Sequence, residues 1–180
     1  MLVSQIPALR GYWYPVAYAD EVEHSPFQAR LFGLPYVVWR PTRGEALIAA
    51  YDECPHRGGR LSQGWVDGDA LVCPYHGWRY DVGGICVAIP AQDPETPISP
   101  RARLDCVQAA ERYGLVWLLV GEERAGIPVF DELAEGSYTL IHELKEVWTA
   151  SAPRMARVGL MPLPPAEAAG LPSSSTQPIW

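Results

Sequence analysis

Two short segments carry side chains whose types and spacing can do chemistry: Cys54-Pro-His56-Arg-Gly-Gly and Cys73-Pro-Tyr-His76-Gly-Trp. Each supplies one thiol and one imidazole, with sixteen residues between His56 and Cys73. Four soft donors from two copies of one design read as a metal-ligand set. Zinc accepts Cys₂His₂ ligation and is the chemical competitor, but zinc knuckles commonly draw a Cys-x₂₋₄-Cys pair from one loop. Here Cys-x-His is matched by Cys-x-x-His. That arrangement suits a [2Fe–2S] centre with two thiolates on one iron and two imidazoles on the other. Pro55 and Pro74 stiffen the loops, and Gly58, Gly59 and Gly77 let backbone N–H groups come close to a buried anionic centre.

Ligands are only as well placed as the elements they leave. The first loop follows a predicted strand at Ala46–Tyr51 and the second follows one at Ala70–Val72. Around them lie short β-rich runs: a lead-in strand within Gly11–Tyr18, then Tyr36–Trp39, Arg79–Asp81, Ile85–Ile89, Leu104–Glu111 and Leu115–Val120. Pro35, Pro41, Gly44 and the Gly83-Gly84 hairpin turn punctuate them. No helical period occurs before residue 130, so the expected body is all-β, an antiparallel sandwich with two cluster-binding loops. The expected organisation is a cluster domain over 1–120, a change of character over 121–156, and a poorly structured C-terminal extension over 157–180. That extension belongs to a stretch from Ser151 that holds six prolines, a Ser173–Ser175 run and no apolar period.

Composition narrows the partners. The chain has 180 residues, 14 Lys plus Arg against 21 Asp plus Glu, a net charge of −7 and a single lysine, Lys145. An acidic chain of this kind is a poor nucleic-acid binder. No apolar run approaches the length of a membrane span, and the N-terminus lacks the pattern of a signal peptide. The expectation is a cytoplasmic domain in a reducing compartment, its cysteines metal ligands rather than disulfides.

The two loops, in the forms Tyr51-Asp-Glu-Cys-Pro-His-Arg-Gly-Gly-Arg-Leu-Ser62 and Val72-Cys-Pro-Tyr-His-Gly-Trp-Arg-Tyr-Asp81, resemble those of the Rieske iron–sulfur domain. The resemblance runs from about Gly11 to Gly121 and is closer to the non-haem iron oxygenases, in the branch of vanillate demethylase and pheophorbide a oxygenase. Gly84–Pro90 and Tyr113–Leu118 match that branch as well. It implies that Cys54 and Cys73 hold an inner iron and His56 and His76 an outer, solvent-facing one. The respiratory and photosynthetic branch carries an extra cysteine in each loop, and the two form a disulfide; here Gly59 and Tyr75 stand there. Trp78 replaces a serine that hydrogen-bonds a sulfide in that branch. Fewer hydrogen bonds place the expected potential toward the low end of the range of about −150 to +300 mV, falling further as pH rises past the imidazole pKa of the oxidised form.

An oxygenase of this kind also needs a mononuclear Fe(II) held by two histidines and a carboxylate. Beyond the loops only His24 and His142 remain, and each reads as an ordinary surface histidine. Where Val147–Ala156 resembles the lead-in to an iron-binding helix, the chain runs into Arg157-Val-Gly-Leu-Met-Pro-Leu-Pro-Pro. The expectation is therefore a chain that transfers electrons without its own oxygenase site, its catalytic domain lost by truncation or a frame change. It would be served by a reductase or ferredoxin and completed by a catalytic oxygenase polypeptide. A stand-alone Rieske ferredoxin is the alternative, and a zinc-held module the third. Cys86 and Cys106 read as buried small hydrophobes, and Trp65 and Trp78 as a shield around the cluster. Arg57, Arg60 and Arg79 are either docking groups or partners of Asp52, Glu53 and Asp81.

Overall fold

The computed structural model describes residues 7–23, 25–42 and 46–131. Expectations for the stretch from Arg157, and for His24 and His142, fall outside these residues. Ten strands form two antiparallel sheets, with no α-helix longer than a turn among the described residues. β1 (Trp13–Tyr18), β2 (Phe27–Leu31), β3 (Leu34–Trp39), β4 (Ile48–Tyr51), β9 (Cys106–Arg112) and β10 (Leu115–Leu119) make the larger sheet, in the order β1-β10-β9-β4-β3-β2. β5 (Trp65–Asp67), β6 (Ala70–Val72), β7 (Arg79–Tyr80) and β8 (Cys86–Ala88) make the smaller one, in sequence order. β4 pairs directly with β9, Ala49 opposite Val107 and Ala50 opposite Cys106. The smaller sheet and both loops are thus a single excursion between two neighbouring strands of the larger sheet.

The apolar run Tyr36-Val-Val-Trp39 lacks alternation because both faces of β3 are covered. Tyr36 and Val38 enter one core with Ala17, Leu31, Val116 and Leu118. Val37 and Trp39 enter a second with Leu61, Leu71, Tyr80 and Leu104. Side chains two apart share a face, so one strand serves both cores. Ala49 and Ala50 divide between the cores in the same way. Cys54 and Cys73 belong to the second core and are 2 % and 1 % exposed, which puts the loops' thiols inside and their tips outside.

Two strands escape sequence reading. β2 alternates weakly (Phe-Gln-Ala-Arg-Leu), and its turn into β3 places Phe32 at φ 53° and Gly33 at φ 79°, a left-handed pair with a non-glycine first member. The Tyr113-Gly114 turn between β9 and β10 is alike, at φ 58° and 66°, as two-residue hairpins require. β5 is three residues long, too short for a pattern.

Candidate metal centre

The two loops have one backbone design. In the first, Cys54 N–H donates to Gly59 C=O at 2.9 Å and Gly58 N–H to Cys54 C=O at 2.8 Å. In the second, Cys73 N–H donates to Trp78 C=O at 2.9 Å and Gly77 N–H to Cys73 C=O at 3.0 Å. Each cysteine is therefore bonded to the residues four and five positions on. Gly58 and Gly77, the donors four positions on, have φ of 68° and 69°, a conformation that a Cβ strains. The chain thus reverses around each cysteine and carries the following histidine outward.

The structure brings all four sequence-predicted donors together. Cys54 and Cys73 are buried, His56 is half-buried, and His76 is exposed, its ring centroid 4.7 Å from that of His56. An aromatic side chain of the second loop covers each imidazole. Trp78 stacks on His56 at 4.5 Å and 6°, and Tyr75 lies on His76 at 3.9 Å and 30°. Burial pushes the Cys73 thiol up, offset in part by the backbone N–H groups of Tyr75 and His76, which favour the thiolate. Lost hydration, and then His76 and Arg57, hold His56 below the usual imidazole range. A neutral ring of this kind has a lone pair free for a metal.

Tyr80 is a functional residue that the sequence reading missed. Its hydroxyl lies 3.1 Å from Cys54 Sγ in a wholly buried setting. Burial, then Cys54, raise its pKa far above the usual phenol range, so the hydroxyl keeps its proton and can donate to that sulfur. The sequence offered only a tyrosine on the strand after the second loop, 26 residues from Cys54.

Other expectations are corrected. Trp65 is 51 % exposed on the edge strand β5 and shields nothing; of the two tryptophans only Trp78 covers the site. Cys86 is buried as expected, but Cys106 is exposed, its register on β9 leaving its thiol at the surface near Gly83. Arg79 pairs with Asp67 at 2.7 Å rather than with Asp81, whose carboxylate accepts from Gly83 and Ile85 N–H and shapes the hairpin. Asp52 pairs with no described arginine. Arg57 and Arg60 are exposed, without an ion pair to any described residue.

Three observations test whether these residues fit a [2Fe–2S] cluster. His56 Nδ1 is buried and has no hydrogen-bond partner, which is costly unless something occupies its lone pair. A Cβ on Gly59 would stand 3.3 Å from Cys73 Sγ and 3.2 Å from Tyr75 Cβ, so glycine keeps the space beside that sulfur open. Finally, the donors come as a buried pair of thiols in contact with each other and an outer pair of imidazoles whose ring centroids are 4.7 Å apart. Two irons that complete their shells with bridging sulfide take such pairs. The residues fit the cluster.

Comparison with known proteins agrees. The family model described as the Rieske [2Fe-2S] domain matches residues 12–110. The chain is 34% identical over 154 residues to methylxanthine N1-demethylase NdmA of Pseudomonas putida, covering 81% of this chain and 43% of that protein. It is 32% identical over 150 residues to aminopyrrolnitrin oxygenase PrnD of Pseudomonas fluorescens, covering 79% and 41%. The solved structure of a Pseudomonas putida NdmA mutant with theobromine superposes with a TM-score of 0.67 at 34% identity, covering 74% of this chain and 41% of that one. The chain thus spans less than half the length of these relatives, and the shared part holds both loops. It belongs to the Rieske [2Fe–2S] domain family, and its cofactor is a Rieske-type [2Fe–2S] cluster.

Proposed function

We propose that this chain relays single electrons within an oxygenase system, with Cys54 and Cys73 as ligands of an inner iron and His56 and His76 as ligands of an outer one. The observation that carries the assignment is the buried, partnerless Nδ1 of His56 beside two buried thiols and an exposed His76. The bound cluster supplies a one-electron redox couple. The chain's own residues set where that electron enters. The thiols sit in the core, Trp78 covers His56, and His76 with Tyr75 is the point at which a donor comes closest. A reductase or ferredoxin is the proposed donor, with Arg57 and Arg60, exposed and without an ion pair to any described residue, favouring an acidic one.

The proposed cluster domain runs from the N-terminus through Val120, the last buried residue of the first core, and residues 121–156 lead into the next part. Relatives named for methylxanthines and for aminopyrrolnitrin share this portion, which supports placing substrate choice elsewhere. Mononuclear iron chemistry is likewise assigned to residues outside the two loops or to another polypeptide. A cytoplasmic location belongs to the same proposal, supported by four free cysteines. No helix of the described residues is long and apolar enough to cross a membrane.

Metal and sulfide analysis with EPR on anaerobically purified, dithionite-reduced protein tests the proposal. Two irons and two sulfides per chain with a rhombic Rieske signal are expected. A colourless protein holding one zinc would sink it, and a third, mononuclear iron would return oxygen chemistry to this chain.

A further inference from the structure

Asp52 is the only buried charged side chain among the described residues, 4 % exposed, and no described cation pairs with it. An unpaired buried carboxylate is expensive unless hydrogen bonds replace its water. Here Oδ1 accepts the Ser62 backbone N–H at 2.7 Å, and Oδ2 accepts the Ser62 hydroxyl at 2.7 Å and the Gln28 side-chain amide. The Gln28 amide also reaches Ser62 Oγ at 3.4 Å, and Asp52 N–H donates to Pro35 C=O at 3.1 Å. These residues come from four places: the end of β4, the turn beyond the first loop, β2 and β3. The carboxylate thus joins the two ends of the first loop, ten residues apart, and fastens both to the larger sheet. Cys54 and His56 lie inside the closed segment. Nothing equivalent spans the second loop, which is held between the paired strands β6 and β7.

We propose that Asp52 is a positioning residue, the clasp that fixes the first loop's cysteine and histidine, and that its charge lowers the cluster's reduction potential. The inference rests on the ligand assignment above. Closing the loop holds one thiol and one imidazole at a set separation before metal arrives, which slows their departure afterwards. The fixed negative charge, two residues from Cys54, disfavours the addition of an electron nearby. A hydrophobic side chain would fill the same space, but it would leave Ser62 N–H unpartnered and the loop ends untied.

The test compares the full chain with Asp52→Asn, Ser62→Ala and Gln28→Ala, each loaded with cluster, by iron release to a chelator and by midpoint potential. Asp52→Asn, which removes the charge and keeps an acceptor, is expected to raise the potential. Ser62→Ala, which keeps the charge, is expected to hasten iron release by roughly tenfold, the effect of one lost hydrogen bond to a charged acceptor, with little change in potential. An unchanged potential in Asp52→Asn, or an unchanged release rate in Ser62→Ala, overturns the proposal. Should Asp52→Asn fail to fold, release rates of Ser62→Ala and Gln28→Ala decide: faster in both supports the clasp, unchanged in both refutes it. An unaltered chain without iron and sulfide would sink the ligand assignment and the clasp with it. That result is distinct from a loaded chain whose variants behave like the parent.

Discussion

The two ligand loops share a backbone and differ in everything around it. Cys54–Gly59 and Cys73–Trp78 have the same pair of hydrogen bonds and the same left-handed glycine. The first loop is tied by side chains reaching across the fold, from Asp52, Ser62 and Gln28, and its thiol is bonded by Tyr80. The second is short-tethered between paired strands and supplies the aromatic covers for both histidines. The shared backbone geometry suits the proposed ligand set, a thiol and an imidazole from each side. The surroundings answer to direction: a sealed, bonded inner side and an outer side with one imidazole at the surface.

Six substitutions, in four tests, break or sharpen this comparison. The largest effect should not distinguish the loops. Cys54→Ser and Cys73→Ser are each expected to reduce bound iron and sulfide to near zero, because either inner ligand is indispensable; one variant retaining a full cluster would refute the symmetry. Next, Gly58→Ala and Gly77→Ala should both destabilise by about 1–2 kcal/mol, the cost of a Cβ in left-handed backbone. Gly77→Ala should cost more, since its Cβ would stand 3.1 Å from Pro90 Cγ while that of Gly58 meets only Glu53 Oε1 at 3.4 Å. Thermal unfolding of the loaded proteins measures the difference.

Tyr80→Phe should act on one side alone. Removing a donor to the Cys54 thiolate destabilises the electron-rich reduced form and should lower the potential by on the order of 50 mV, about the worth of one hydrogen bond to a charged group. A spectroelectrochemical titration that finds no change would mean that the hydroxyl does not donate to the sulfur in the loaded protein. The smallest effect concerns docking. Arg57→Glu should slow reduction by an acidic donor roughly severalfold at low salt and less at high salt, leaving cluster content intact. Stopped-flow rates across ionic strength check this, and salt-independent rates would remove Arg57 from the entry surface.

Much of this was legible in the residues. The loops declare themselves by composition, β3 and β4 by apolar runs that two covering cores require, and β10 by its run of buried apolar side chains. What escaped depended on contacts distant in sequence. β2 is disguised by Gln28 and Arg30, and Gln28 is polar because it serves Asp52. Asp52 itself reads as one of several acidic residues near arginines, yet its partners are 10 and 24 residues away. Trp65 reads as core because tryptophans usually are, but an edge strand three residues long can leave one half in water. Tyr80's bond to Cys54 exists only once β7 pairs with β6 and brings the hydroxyl under the first loop.

Between Ala50 and Cys106 the chain leaves the larger sheet, builds both loops and the aromatic side chains that cover their histidines, and returns to the adjacent strand. Departure and re-entry are a single strand spacing apart, yet the excursion is also held by Gln28 and Pro35 and packs on Val37 and Trp39 of the frame. A graft of the segment into another frame would therefore have to carry those sheet-side partners with it.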